Sequence, residues 1–237
     1  RPYRNAAGGE ELRDTLCRES VTYTVRRNNI EVTASHRFCN AAPVTIAIYY
    51  GMQSMFEGET HVVTPGGAYT DWTEVAKAST LTKQEHPLFR RYVEKNRQGY
   101  QSTWLLPDGL GDHALLDGQD DIFIYAPYGK SYHKLIGNKR MENGDKTCWR
   151  GVYTWFETPI ADDADLLCYE GSVGGHTAVF IDCKRACKRT LALPGYLDLR
   201  HFGTAEQNSG IRISAAGRNK LKIKAGAPGS CVLLLRE

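Results

Sequence analysis

Seven histidines offer proton transfer near neutral pH, and their neighbours decide which are worth weighing. Glu170 closes the apolar run Leu-Leu-Cys-Tyr-Glu-Gly, and His176 follows Gly174-Gly175 at the start of another. With Gly171–Gly175 as a hairpin, the two would sit at the same end of adjacent strands. A carboxylate beside an imidazole at a sheet edge suits acid–base work. His61 opens a short apolar run beside Glu57 and Glu59. His36 falls among apolar positions and reads as a satisfied core histidine. His113 lies in an acidic loop, and His133 follows Tyr132 in Gly-Lys-Ser-Tyr-His-Lys. Glu170, His176 and His61 are therefore the catalytic candidates, set against the plainer reading of loop side chains facing water.

Aromatic rings are the second chemical resource. Trp72, Trp104, Trp149 and Trp155 are spread along the chain, with many tyrosines near them. Exposed Trp and Tyr faces stack on sugar rings, while neighbouring Asp, Asn or Arg groups bind hydroxyls. Most such rings are core, because strands favour aromatics. Trp72 is the exception, in the Gly-rich loop Gly-Gly-Ala-Tyr-Thr-Asp-Trp, where a large ring is harder to bury. Trp72, Tyr69 and Arg37 are the ligand-binding candidates.

Metal chemistry has less to stand on. Asp108, Asp112, Asp117, Asp120 and Asp121 cluster their oxygens in a way that could hold calcium, but the spacing fits no EF-hand, and a solvated loop is the reading adopted. Asp162, Asp163 and Asp165 are read the same way. Cys183 and Cys187 form the one close cysteine pair of seven thiols, weak grounds for zinc or a disulfide. Cys39, Cys168 and Cys231 lie in or beside apolar runs and read as buried, reduced core residues. The expectation is no metal and no cofactor. No nucleophile elbow, Walker loop, dinucleotide fingerprint or His-Glu-x-x-His appears, which removes the common hydrolase, nucleotide and zinc-protease readings.

The elements that must position these residues are strands. In Val21–Gly51, Ile30, Val32, Ala34, His36 and Phe38 alternate with Glu31, Thr33, Ser35 and Arg37, the period of a half-buried antiparallel strand. Arg-Arg-Asn-Asn (26–29) and Asn-Ala-Ala-Pro (40–43) break the run into three strands. Further strands are expected near 61–64, 103–106, 122–125, 152–156, 166–169, 177–182, 190–193, 211–214, 221–224 and 231–235. Pro87 and the spacing of Leu88, Tyr92 and Lys95 predict a helix over Lys83–Asn96, and a shorter one is read at Glu10–Cys17. Strands every ten residues or so, without βαβ order, predict an all-β, mainly antiparallel sandwich with one short helix near 85–96, in a single domain over 1–237.

Composition narrows the classes. The net charge is only +3, from 30 basic and 27 acidic residues, which argues against a nucleic-acid binder relying on a strong positive field. No run approaches the length needed to span a bilayer. The chain opens on Arg1 rather than Met. That suits a domain cut from a longer protein, or export to a bacterial periplasm or the extracellular space after loss of a leader.

The run from Val21 to Phe56 resembles part of a galactose mutarotase-like β-supersandwich. Such domains carry a strand built around Asn-Asn, an aromatic strand ending near Asn, and a Pro-led strand leading into the sugar site. Ile30–Val32, Phe38, Asn40 and Pro43 follow that sequence of events over about 35 residues. Active mutarotases place a catalytic histidine after the Pro-led strand, where this chain has Tyr-Tyr-Gly-Met-Gln-Ser-Met-Phe (49–56). Their catalytic base is a glutamate late in the chain, for which Glu170 is the nearest candidate. The resemblance implies a carbohydrate-recognising domain, acting at a sugar's anomeric centre or within a polysaccharide-processing enzyme. The alternatives are a non-catalytic binding or accessory module and a β-rich interaction protein without a sugar ligand.

Overall fold

A computed structural model describes residues 3–4, 11–12, 15–55, 59–78, 81–82, 91–106, 121–126, 129–207 and 210–235. Every strand pairing in it is antiparallel. The largest sheet runs β3 (Cys17–Arg26), β4 (Asn29–Phe38), β13 (Lys146–Phe156), β10 (Gly99–Leu105), β9 (Arg91–Asn96), β6 (His61–Val63) and β7 (Thr73–Glu74) in spatial order. A four-stranded sheet is formed by β5 (Val44–Met55), β12 (Lys130–Met141), β11 (Asp121–Ala126) and β8 (Leu81–Thr82). Five strands make the next: β14 (Ala161–Asp162), β15 (Leu166–Val173), β16 (His176–Cys183), β21 (Gly229–Leu235) and β18 (Phe202–Gln207). The last has three, β17 (Cys187–Ala192), β20 (Lys220–Ala225) and β19 (Ile211–Ala215). β1 (Tyr3–Arg4) and β2 (Glu11–Leu12) pair separately.

Three apolar seams stack these sheets in the order four, seven, five, three. Val32, Ala34, Leu105 and Trp149 of the seven-stranded sheet pack on Met52, Leu135 and Ile136 of the four-stranded one. On its other face Val93, Trp104 and Val152 meet Tyr169, Phe180 and Val232 of the five-stranded sheet. The far face of that sheet, through Cys168, Val179 and Ile181, closes on Ile211, Leu221 and Ile223. Facing strands bring their alternate side chains together, which is the physics of a β-sandwich repeated three times. Gly151 makes one seam possible: a Cβ there would lie 2.0 Å from Met52 Sδ. The Gly174-Gly175 turn joining β15 to β16 needs both glycines, since their φ angles are +60° and +86°.

The expected all-β sandwich is observed, and the described part of the predicted helix is a strand instead. Arg91–Asn96, the second half of the predicted helix, is strand β9; residues 83–90 lie outside the described residues. Arg91 to Glu94 are each 3% exposed or less, because β9 is covered on both faces. Such a strand shows no alternation, and its Arg and Glu mimic the polar side of a helix. Within Glu10–Cys17, Glu11–Leu12 is strand and Cys17 begins β3. The other helical pieces described are 3₁₀ turns at Val75–Lys77 and Leu199–His201. No described helix is long and apolar enough to cross a membrane.

Candidate functional site

A cleft of about 730 Å³ opens where the β3–β4 turn, the β9–β10 hairpin and the end of β13 meet. Rings of Tyr100, Trp155 and Phe156 line it, with the amides of Asn28, Gln98 and Gln101 between them. Met55, the last residue of β5, and Glu157 complete the rim. Tyr100 opposes Phe156 and Gln101 opposes Trp155 across β10 and β13, so Tyr100 and Phe156 share the face toward the five-stranded sheet, Gln101 and Trp155 share the other, and the cleft wraps the end of the sheet. The Asn28 amide donates to the Trp155 carbonyl at 2.7 Å and ties the turn to the strand end. Behind the cleft, Tyr100, Phe156, Tyr169 and Phe180 stack in series with centroids 4.9, 4.4 and 4.8 Å apart. The rigid pile fixes the inner rings while Trp155 stays 37% exposed.

A buried polar cluster adjoins this cleft. Glu94 opposes Gln101 on β9 and points to the same face. It accepts hydrogen bonds from Ser54 and, at 2.5 Å, from Ser131. The Ser54 and Tyr92 hydroxyls lie 3.2 Å apart, and the fully buried His133 ring sits 5.1 Å from that of Tyr92. Burial raises the Glu94 carboxyl above its ordinary range, and the two seryl hydroxyls only partly oppose it. Burial, and then the Glu94 charge, push the Tyr92 phenol well up. The arrangement makes a carboxyl close to the cleft hold its proton more tightly than an exposed one, the direction a general acid needs.

The residues singled out from sequence are dispersed. Glu170 registers with Val179, and His176 with Val173, so the two point to opposite faces of the five-stranded sheet. Their strands adjoin, but the side chains are not brought together. Glu170 instead accepts from the Tyr196 hydroxyl at 2.5 Å. His61 lies toward the far edge of the seven-stranded sheet. There Glu59, His61 and Glu74 each offer a ligand atom within 4.8 Å of the others, a donor set suited to a divalent transition cation. Glu74 already holds Lys77 at 2.6 Å. Arg37 is exposed on β4, two strands across the sheet from β10, whose Tyr100 the Trp72 ring neighbours. Tyr69 packs on Val62, Val75, Leu81 and Tyr92.

Trp72 comes nearest to its expected role without filling it. Its ring lies 5.9 Å from that of Tyr100, yet its indole N–H donates to Asp162 at 2.9 Å and Lys95 Nζ caps its face at 4.1 Å. Asp162 also receives Lys184, Lys95 and the Tyr100 hydroxyl. Desolvation works against its charge, but Lys184, Trp72 and Lys95 together hold its pKa down at about 2. Burial, and then its hydrogen bond to Asp162, push the Tyr100 phenol up to about 12. Asp163 and Asp165 are taken by Arg189 and Arg185, so this acidic run is an ion-pair network rather than a solvated loop. Of the acidic run at 108–121, Asp108, Asp112, Asp117 and Asp120 lie outside the described residues, as does His113. His36 is a satisfied buried histidine, 3.0 Å from Thr147 Oγ1 and 2.9 Å from Glu19. All seven cysteines are free thiols, and Cys168, Cys183 and Cys231 are buried.

Sequence reasoning missed Glu94, Gln101 and Trp155. Glu94 was hidden in the supposed helix, and Trp155 counted among core rings. No protein-family model matches the chain, and no curated protein matches it either.

Proposed function

We propose that the protein is a carbohydrate-recognising domain that takes its ligand in the cleft of Tyr100, Trp155 and Phe156. The observation that carries this reading is the lining itself: the exposed Trp155 ring on one side of the sheet end, the part-buried Tyr100 and Phe156 rings on the other, and the amides of Asn28 and Gln98 at the turns beside them. Rings stack on the apolar face of a pyranose, and amides donate to and accept from its hydroxyls. The mutarotase resemblance supports the same place, since it expects a sugar beyond the Pro-led strand, and Met55 at the end of that strand lines the cleft. A glycan array followed by calorimetry tests the reading. Trp155→Ala should weaken the best neutral ligand at least tenfold while leaving the unfolding midpoint nearly unchanged. An array without hits overturns it in favour of a β-rich interaction protein.

One observation favours a catalytic version over a purely binding module. The histidine expected within 49–56 is absent from β5, but His133 on β12 registers with Gly51. An imidazole and the buried acid Glu94 thus flank the stretch where mutarotase chemistry would lie. In this version Glu94 is the proton donor at the anomeric centre, a role given to Glu170 and His176 on sequence grounds. An anomerisation assay on aldoses separates the versions, because Glu94→Gln should abolish turnover and spare binding.

A further inference from the structure

The outer face of the three-stranded sheet carries eight side chains: Lys188, Thr190 and Ala192 from β17; Lys220, Lys222 and Lys224 from β20; Arg212 and Ser214 from β19. All eight are exposed. Five are cations, and among the described residues no carboxylate stands on this face. Nearby acids are spent elsewhere. Asp163 and Asp165 hold Arg189, which points the other way, and Asp198 holds Arg200 and Arg218 at the sheet's end. Lys188, Lys224 and Arg212 oppose one another directly across the three strands. Like charges in register cost stability, so nothing in folding selects this arrangement. The whole chain is only +3, so the rest of the molecule is net negative and the positive charge is concentrated here.

We propose that this face binds a linear polysaccharide bearing carboxylates, a polyuronate, and so extends the carbohydrate reading from the cleft to the class of polymer recognised. The proposal rests on that reading for the choice of a glycan. The face itself excludes a base-stacking platform, since none of its eight positions is aromatic. Its cations lie about 4.8 Å apart across strands and about 6.7 Å apart along β20, a flat grid for repeated anions. Thr190 and Ser214 flank Lys222 in register and add hydroxyls for the sugar.

The test compares the whole protein with Lys188→Glu/Lys222→Glu/Lys224→Glu and with the same three positions changed to Arg. Titrants are a polygalacturonate fragment, the best neutral oligosaccharide from the array, single-stranded DNA of matched charge, and phosphatidylserine vesicles. Polyuronate affinity should fall at least tenfold in the Glu variant, persist in the Arg variant, and weaken as salt rises. Neutral-glycan binding should be unchanged by the Glu variant and weakened at least tenfold in Trp155→Ala, which separates failure of the face from failure of the cleft. Unaltered polyuronate binding in the Glu variant overturns the proposal. So does DNA or vesicle binding as tight as polyuronate binding.

Discussion

The seven-stranded sheet buries a carboxylate against each of its neighbours, and the two are treated differently. Toward the five-stranded sheet, Asp182 receives Arg91 at 2.5 and 3.1 Å and Ser230 at 2.8 Å. Arg91 also donates to Tyr169, which donates to Ser102 at 2.8 Å, so the network closes across both layers. Toward the four-stranded sheet, Glu94 has two seryl hydroxyls and no cation among the described residues. Burial raises both carboxyls; the Arg91 guanidinium opposes the rise at Asp182, and only hydroxyls oppose it at Glu94. One strand supplies both sides, with Arg91 and Glu94 on opposite faces of β9. A closed network of Arg91, Asp182 and Ser230 with no part in the cleft is a structural device, whereas a carboxyl beside the cleft whose rise is opposed only by hydroxyls holds its proton more tightly.

The largest effect should come from breaking the charged side. Arg91→Met leaves Asp182 buried without its cation and should cost about 3–5 kcal/mol in urea unfolding. Adding Asp182→Leu should recover most of that loss, because the apolar pair removes the desolvation cost along with the attraction. If the single variant cost under 1 kcal/mol, the contrast between the two layers would disappear.

Asp162 tests the contrast with a carboxylate near the cleft that is held charged. Its folded pKa is about 2, below the unfolded value near 4, so its stabilisation is present above about pH 4 and lost as pH falls through 2. Asp162→Asn should therefore cost about 2 kcal/mol at pH 6, and the gap between the two proteins should close by pH 2. A gap that stays constant with pH would show that Asp162 acts through shape rather than charge.

These contrasts explain how far the sequence could be read. Strands with one solvated face announced themselves: β4 alternates as Ile30–Phe38 require, and β20 does so as Lys-Leu-Lys-Ile-Lys-Ala. Among strands covered on both faces, β15 and β16 still read as apolar runs, but β9, which carries Arg91 and Glu94 among its buried residues, passed for a helix. A strand packed between two sheets has no solvated side to betray its period. Glu170 and His176 were placed on adjacent strands from sequence, but the two-residue Gly174-Gly175 turn sets a register that sends them to opposite faces. A one-residue difference in register decides the face, and spacing alone does not fix it. The basic face escaped notice because net charge averages over the chain, while its five cations are gathered by strand pairing.

The smallest stability effect, and the most informative for chemistry, belongs to Glu94→Gln. The amide matches the carboxyl in shape; its oxygen accepts from one of Ser54 and Ser131, and its NH2 donates to the other hydroxyl, which can turn to accept. Because the folded pKa of Glu94 is raised, its contribution to stability is fully present below the unfolded value near 4.3 and declines as pH rises through the folded value. Wild type and variant should therefore unfold within about 1 kcal/mol of each other at pH 4. As pH rises the variant should become the more stable of the two, since it has no proton to lose. Paired urea titrations at pH 4 and pH 8 measure the crossing. The opposite trend, with wild type gaining on the variant as pH rises, would mean that Glu94 is a stabilised carboxylate. Glu94 would then resemble Asp162, and the cleft would have no proton donor beside it.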